Sequence, residues 1–254
     1  MFDTSISRLI SLLIPAFVLI SCGKEQPEPV IPVGTDIQVN VSVKSSGVEV
    51  VPGASTYTTP AGAQFKVDLL KFYLSNFRLV KSDGSVFDAG TYRLIDFADA
   101  DSKSFHLPKC PAGTYSSIRF MLGVDPNANH TLQNSEPDLD PSKGMVWSWS
   151  TGYIFFKHEG SYIDSTGAQQ ALLYHYGKDI AAVEVEIPFV NNLTFESGKM
   201  FQFDLKFDLG AAYSSPQVIS FYQYHNNQSL TQADNPWIEA LKTNFAQAFN
   251  IDVQ

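Results

Sequence analysis

Cysteine is nearly absent from this 254-residue chain: there are two, Cys22 and Cys110. At most one disulfide could form, so the fold has to stand on a hydrophobic core rather than on crosslinks. Positive charge is scarce as well. Against 26 Asp and Glu there are 17 Lys and Arg, a formal charge of −9. That balance excludes the Lys- and Arg-rich surface on which nucleic-acid binding depends, whereas an acidic surface draws cations. The five histidines, His106, His130, His158, His175 and His225, are scattered, with none of the close spacings of a zinc protease or finger. There is no nucleophile elbow, no phosphate-cradling glycine loop, no internal repeat and no low-complexity stretch. Asp138 and Asp140 sit in a proline-flanked loop and read as solvated. These absences point to a binding protein rather than an enzyme.

Long apolar runs are missing too. Arg8 precedes a run from Leu9 to Ile20, broken by Ser11 and Pro15, which is shorter than the roughly 20 residues a membrane-crossing helix needs. It closes on Leu19-Ile20-Ser21-Cys22-Gly23, the form of a bacterial lipoprotein signal, with residues 1–21 removed and Cys22 acylated. Simple secretion is the alternative. Two or more acyl chains anchor stably where one does not, so the mature chain is expected at the bilayer of the bacterial outer membrane, facing the periplasm or the outside. With Cys22 acylated no intrachain disulfide remains, and Cys110 is expected as a packed free thiol. Residues 22–35, with Pro27, Pro29 and Pro32 among Lys24, Glu25 and Glu28, cannot bury a core and read as a semi-rigid tether.

What is abundant is apolar and aromatic: 44% hydrophobic residues, with 19 Phe, 11 Tyr and 3 Trp. Period-two alternation in Ile37, Val39, Val41 and Val43, in Val183, Val185 and Ile187, and from Phe201 through Phe203, Leu205 and Phe207 to Leu209 predicts half-buried strands. Turn signals at Ser82-Asp83-Gly84-Ser85, Pro111-Ala112-Gly113 and Ser197-Gly198-Lys199 separate such runs. The expected fold is all-β, an antiparallel β-sandwich with long loops over residues 36–254. One short C-terminal helix is expected, capped by Asn235, with Pro236 at its first position and Trp237, Ile238, Leu241, Phe245 and Phe249 near helical spacing.

The segment Gly144 to Gly160, Gly-Met-Val-Trp-Ser-Trp-Ser-Thr-Gly-Tyr-Ile-Phe-Phe-Lys-His-Glu-Gly, concentrates the chemistry. If extended, it sets Trp147 and Trp149 on one face, and Gly152 marks a bulge or close backbone approach. Beyond it Tyr153 and Phe155 line one face, and Ile154, Phe156 and His158 the other. On residue types alone this is a strand buried on both sides. The segment resembles the signature of the MbnP-like copper-binding family, the methanobactin-associated proteins. Phe72-Tyr73-Leu74-Ser75-Asn76-Phe77, Tyr92-Arg93-Leu94-Ile95-Asp96, Pro111-Ala112-Gly113-Thr114-Tyr115, Gly123-Val124-Asp125 with Asn129, Leu139-Asp140-Pro141 and Tyr174-His175-Tyr176-Gly177 follow the family's order.

That resemblance implies one copper held by histidine beside a tryptophan oxidised to kynurenine. His175, in the family's His-x-Gly motif, is the first candidate ligand, and Trp147 or Trp149 the oxidised residue. It also implies a partner di-haem enzyme of the cytochrome c peroxidase type. Imidazole suits copper, and copper(II) heads the divalent affinity order. The chain departs from the pattern in having no histidine just before Gly144; His158 is the candidate second ligand, at a position where the family often has an aliphatic residue. Calcium is not expected: Asp125 to Glu136 imitates a calcium-loop spacing, but His130 stands where the sharp turn needs Gly. The competing reading is a metal-free surface lipoprotein of the same fold that binds carbohydrate or adheres through exposed Trp and Tyr.

Overall fold

The computed structural model describes residues 34–132, 135–147 and 152–254. Alternation builds the first strand as expected: in β1 (Thr35–Ser45) Ile37, Val39, Val41 and Val43 are buried, and the residues between them are partly exposed. The strands that follow are β2 (Val48–Glu49), β3 (Thr56–Thr58), β4 (Gln64–Lys81), β5 (Val86–Asp96), β6 (Ser104–Cys110), β7 (Gly113–Leu122), β8 (Ile154–Ile163), β9 (Gln169–Gly177), β10 (Val183–Phe195), β11 (Met200–Asp208), β12 (Asn226–Asn227) and β13 (Phe249–Val253). Gly84 and Gly198 occupy left-handed turns between β4 and β5 and between β10 and β11, where a side chain would be strained.

Two sheets result. The smaller runs β13-β11-β1, with β2 and β6 also on β1; the larger runs β10-β7-β4-β8-β9-β12, with β3 and β5 also on β4. They face each other across an aromatic core. Phe207 of β11 meets Phe72 of β4 and Phe156 of β8, Phe105 of β6 meets Phe77 of β4, and Phe249 of β13 meets Phe120 of β7. Each such ring contributes roughly 1.5–3 kcal/mol on burial.

The sandwich is not wholly antiparallel. β1 pairs with β11 in parallel over nine residues, Asp36↔Met200 to Lys44↔Asp208, and β12 joins β9 in parallel. A parallel pair needs a long crossover, and nearly the whole domain lies between β1 and β11. The late helix is present, as α4 below, but its start differs from expectation. A single turn at Gln232–Asp234 precedes it, with Thr231 and Asp234 in a reciprocal capping box, so Asn235 lies inside the helix and caps nothing. Three short helices, α1 (Pro126–Asn129), α2 (Leu209–Ala212) and α3 (Phe221–Tyr224), come before α4 (Asn235–Phe245). Phe249 belongs to β13 rather than to the helix.

Candidate metal centre

β4 is 18 residues long and carries β8 along its first half and β7 along its second. The end of β7 therefore meets the start of β8, and the described residues of the chain between them depart from and return to this junction. Gly123 anchors it: its N–H donates to the carbonyl of Tyr73 (3.0 Å), and its carbonyl accepts from Ser75 Oγ (2.8 Å). A Cβ at Gly123 would lie 2.6 Å from the ring of Phe155. Asp125 caps α1 by accepting from the N–H groups of Asn127 and Ala128, and takes the hydroxyl of Tyr92 on its other oxygen. Burial raises its pKa, but these bonds outweigh it and hold the carboxyl below its usual range. Its oxygens thus serve a cap rather than the first position of a calcium loop.

The buried Asn129 accepts from the N–H of Tyr153 (2.7 Å) and donates to Asp179 (2.8 Å). The same carboxylate meets Nε2 of the exposed His130 at 2.7 Å. Asp179 lies two residues beyond Gly177, so His130 joins the same rim of the sheet as the His-x-Gly motif. Nothing in the spacing of His130 along the chain signalled this; only the cross-connection through Asp179 does.

His175 lies on β9 opposite Lys157 of β8, its side chain only 13% exposed. Its Nε2 stands 2.8 Å from Glu159 Oε1. A carboxylate can only accept, so the neutral ring carries its proton on Nε2 and leaves the Nδ1 lone pair free. Nδ1 is buried and has no hydrogen-bond partner; Gln228 lies within reach of the ring without closing a bond to that nitrogen. Burial lowers the imidazole's pKa and Lys157 adds to this, against the pull of Glu159, so the neutral form that ligates metal is favoured. A histidine oriented by a carboxylate with its other nitrogen open is the arrangement metal sites use.

Gly177 explains the second half of the motif. Residues i and i+2 of a strand share a face, and a Cβ at Gly177 would lie 2.5 Å from Cη2 of Trp147 and 2.7 Å from the carbonyl of Tyr153. The indole therefore rests on bare backbone, on the same face as His175. Trp147 is 5% exposed, and its Nε1 is buried without a partner. In the neighbouring Glu159-Gly160 pair, Glu159 holds His175 and Gly160 admits the carbonyl of Lys66, which would stand 2.1 Å from a Cβ there.

His158 does not join this site. It pairs with Tyr174, so it projects from the face of the sheet opposite His175. It is fully buried, with Nδ1 2.7 Å from Tyr213 Oη and Nε2 3.1 Å from the Lys66 carbonyl. With the sheet between them and both His158 nitrogens engaged, the two histidines cannot share one metal. The second-ligand expectation is corrected accordingly. Trp149 and Cys22 lie outside the described residues. Cys110 is buried and free, its thiol pKa pushed up by burial. His106 pairs with Asp36, and His225 meets the carbonyl of Tyr222. Asp138 is held by the N–H of Leu94 rather than solvated. Among the described residues no group of three or more His, Cys, Asp or Glu is placed to hold a metal, so His175 fits a metal as one ligand of an incomplete set. Both described tryptophans, Trp147 and Trp237, are buried, and neither offers a ring face to a sugar.

A comparison with curated proteins gives no match. Among solved structures, MbnP from Methylosinus trichosporium superposes with a TM-score of 0.57 at 17% identity, covering 88% of this chain and 99% of that one. This likeness establishes the shared fold. The MbnP family profile matches residues 34–234, a span that contains the Trp147 segment, Glu159-Gly160 and His175-Tyr176-Gly177, and on that match the chain belongs to the MbnP family.

Proposed function

We propose that this protein is an exported, lipid-anchored copper-binding protein, not an enzyme, holding one copper per chain through Nδ1 of His175 with an oxidised tryptophan, Trp147 or Trp149, beside it. The observation that carries the reading is the pairing on one sheet face of a buried, carboxylate-oriented imidazole whose Nδ1 has no partner and an indole seated on Gly177. Opening an indole to kynurenine inserts two oxygens to give the N-formyl form, whose hydrolysis releases the carbon as formate, a net gain of one oxygen and loss of one carbon. It creates an aryl amine, a donor that the described residues otherwise lack. A di-haem enzyme of the cytochrome c peroxidase type is the partner suited to that oxidation. His130, tethered to Asp179 on the same rim, replaces His158 as the next imidazole to test. Acylated Cys22 would hold the mature chain at the bilayer of the cell envelope.

Copper titration of protein isolated from its native host, with peptide mass spectrometry over Gly144–Lys157, tests this. One copper per chain is expected, with the greatest loss in His175→Ala, a loss of about 10- to 100-fold in affinity in Glu159→Gln, and no loss specific to His106→Ala or His225→Ala. Absence of stoichiometric copper, or equal losses for every histidine, would overturn the reading. Unmodified tryptophan at both 147 and 149 would overturn its oxidative part, and unchanged membrane fractionation of Cys22→Ser its lipid anchor.

A further inference from the structure

The buried imidazole on the other face of the sheet has its own chemistry. We propose that Tyr213 and His158 form a proton-coupled redox pair: when a one-electron oxidant withdraws an electron from the surrounding aromatic cluster, the vacancy settles on Tyr213 and its hydroxyl proton passes to Nδ1 of His158.

The direction of that transfer is fixed by geometry. The Lys66 carbonyl can only accept, so Nε2 of His158 carries the ring proton, and Nδ1 accepts from the Tyr213 hydroxyl at 2.7 Å. Burial lowers the His158 pKa to about 4, so the ring is neutral and able to take a proton. Other buried phenols in the cluster lack such a base. The hydroxyls of Tyr174 and Tyr176 have no acceptor, and Trp237 beside Tyr174 carries an N–H that can only donate. Outside the cluster, Tyr73 donates to a carbonyl, which is a very weak base. Tyr92 has the carboxylate of Asp125, but lies outside the ring cluster.

The cluster provides the electronic path. Tyr213 stands 5.8 Å from Tyr174, Tyr174 stands 5.1 Å from Trp237, and Trp237 stands 5.8 Å from Tyr176 between ring centroids. Tyr176 directly precedes Gly177, the residue on which Trp147 rests, so the path ends one strand thickness from the candidate metal centre. In the oxidation, Tyr213 loses one electron to the external oxidant and its O–H bond breaks. A new N–H bond forms at His158 Nδ1, giving a neutral phenoxyl radical and an imidazolium. A phenol radical cation is a far stronger acid than an imidazolium, so the proton crosses despite the burial. The Lys66 carbonyl and nearby Glu159 both favour the charged ring. Reduction reverses each step, which makes the pair a reversible store for one oxidising equivalent.

The whole chain, free of metal, would be photo-oxidised with a ruthenium polypyridyl sensitiser and persulfate, frozen, and read by electron paramagnetic resonance. Omitting copper makes the outcome independent of the metal reading. A tyrosyl signal is expected, reduced several-fold in Tyr213→Phe and unchanged in Tyr92→Phe. In wild-type protein labelled with 15N-histidine, pulsed measurements are expected to show coupling to a histidine nitrogen, which decides the matter even if Tyr213→Phe fails to fold. No tyrosyl signal, a signal without histidine-nitrogen coupling, or a signal that survives in folded Tyr213→Phe would each overturn the proposal.

Discussion

Gly177 and Gly160 show how a residue without a side chain can specify a site. Each is a strand glycine with ordinary backbone angles, and what each permits is a close approach: the Trp147 indole at one, the Lys66 carbonyl at the other. Gly177→Ala is therefore expected to cost about 1–3 kcal/mol, as overpacking does, and to lift the indole from the His175 face. Urea denaturation would give the first, and a red shift of Trp147 fluorescence in a Trp149→Phe, Trp237→Phe background the second; an unshifted spectrum at unchanged stability would refute both. His175 itself was legible in the sequence because the motif stands on one strand. Its orienting partner Glu159 was not, since that pairing depends on the β8–β9 register, which no single strand reveals.

At the scale of elements, strands and turns followed the alternation and glycine signals closely, because a half-buried strand has to alternate and a left-handed turn favours glycine. Parallel pairing of β1 with β11 was not legible: alternation marks a buried face but carries no strand direction. The helix start departs from the sequence expectation for a related reason. Asn, Pro and an apolar run satisfy the rule for a helix beginning, but Thr231 and Asp234 offered a better cap one turn earlier. His158 invites a ligand reading because it lies close in sequence to the Trp147 segment, and its burial against Tyr213 appears only once β8, β9 and the residue that ends α2 are packed. The short α1 depends on its cap more than a long helix would. Asp125→Ala removes the oxygen that accepts from two N–H groups and the partner of Tyr92, and is expected to cost about 1–2 kcal/mol. Faster amide exchange confined to residues 126–130 would accompany it, and uniform exchange across the domain would refute a local role.

For the whole molecule, the buried His158 ties stability to pH. Its folded pKa of about 4 lies below the ordinary 6.5, so between those values the unfolded chain binds a proton that the folded chain refuses. Its contribution is complete above about pH 6.5 and is lost as pH falls towards 4, about 3 kcal/mol in all. The urea midpoint should therefore drop between pH 7 and pH 4.5, and the drop should shrink in His158→Gln; an equal drop in both would assign the effect to carboxylates instead. The β1–β11 pairing has a consequence in time. A chain made from its N-terminus presents β1 first, yet the partner strand is 164 residues later, as Asp36↔Met200 shows. Contacts that close so much chain form slowly, so although β2 and β6 can pair with β1 early, the edge of β1 that meets β11 stays unpaired until almost all of the domain has emerged. Completion of the smaller sheet by β11 and β13 is then the last event, and the interval before it, with a strand edge open, is when this protein is most exposed to aggregation or to a chaperone.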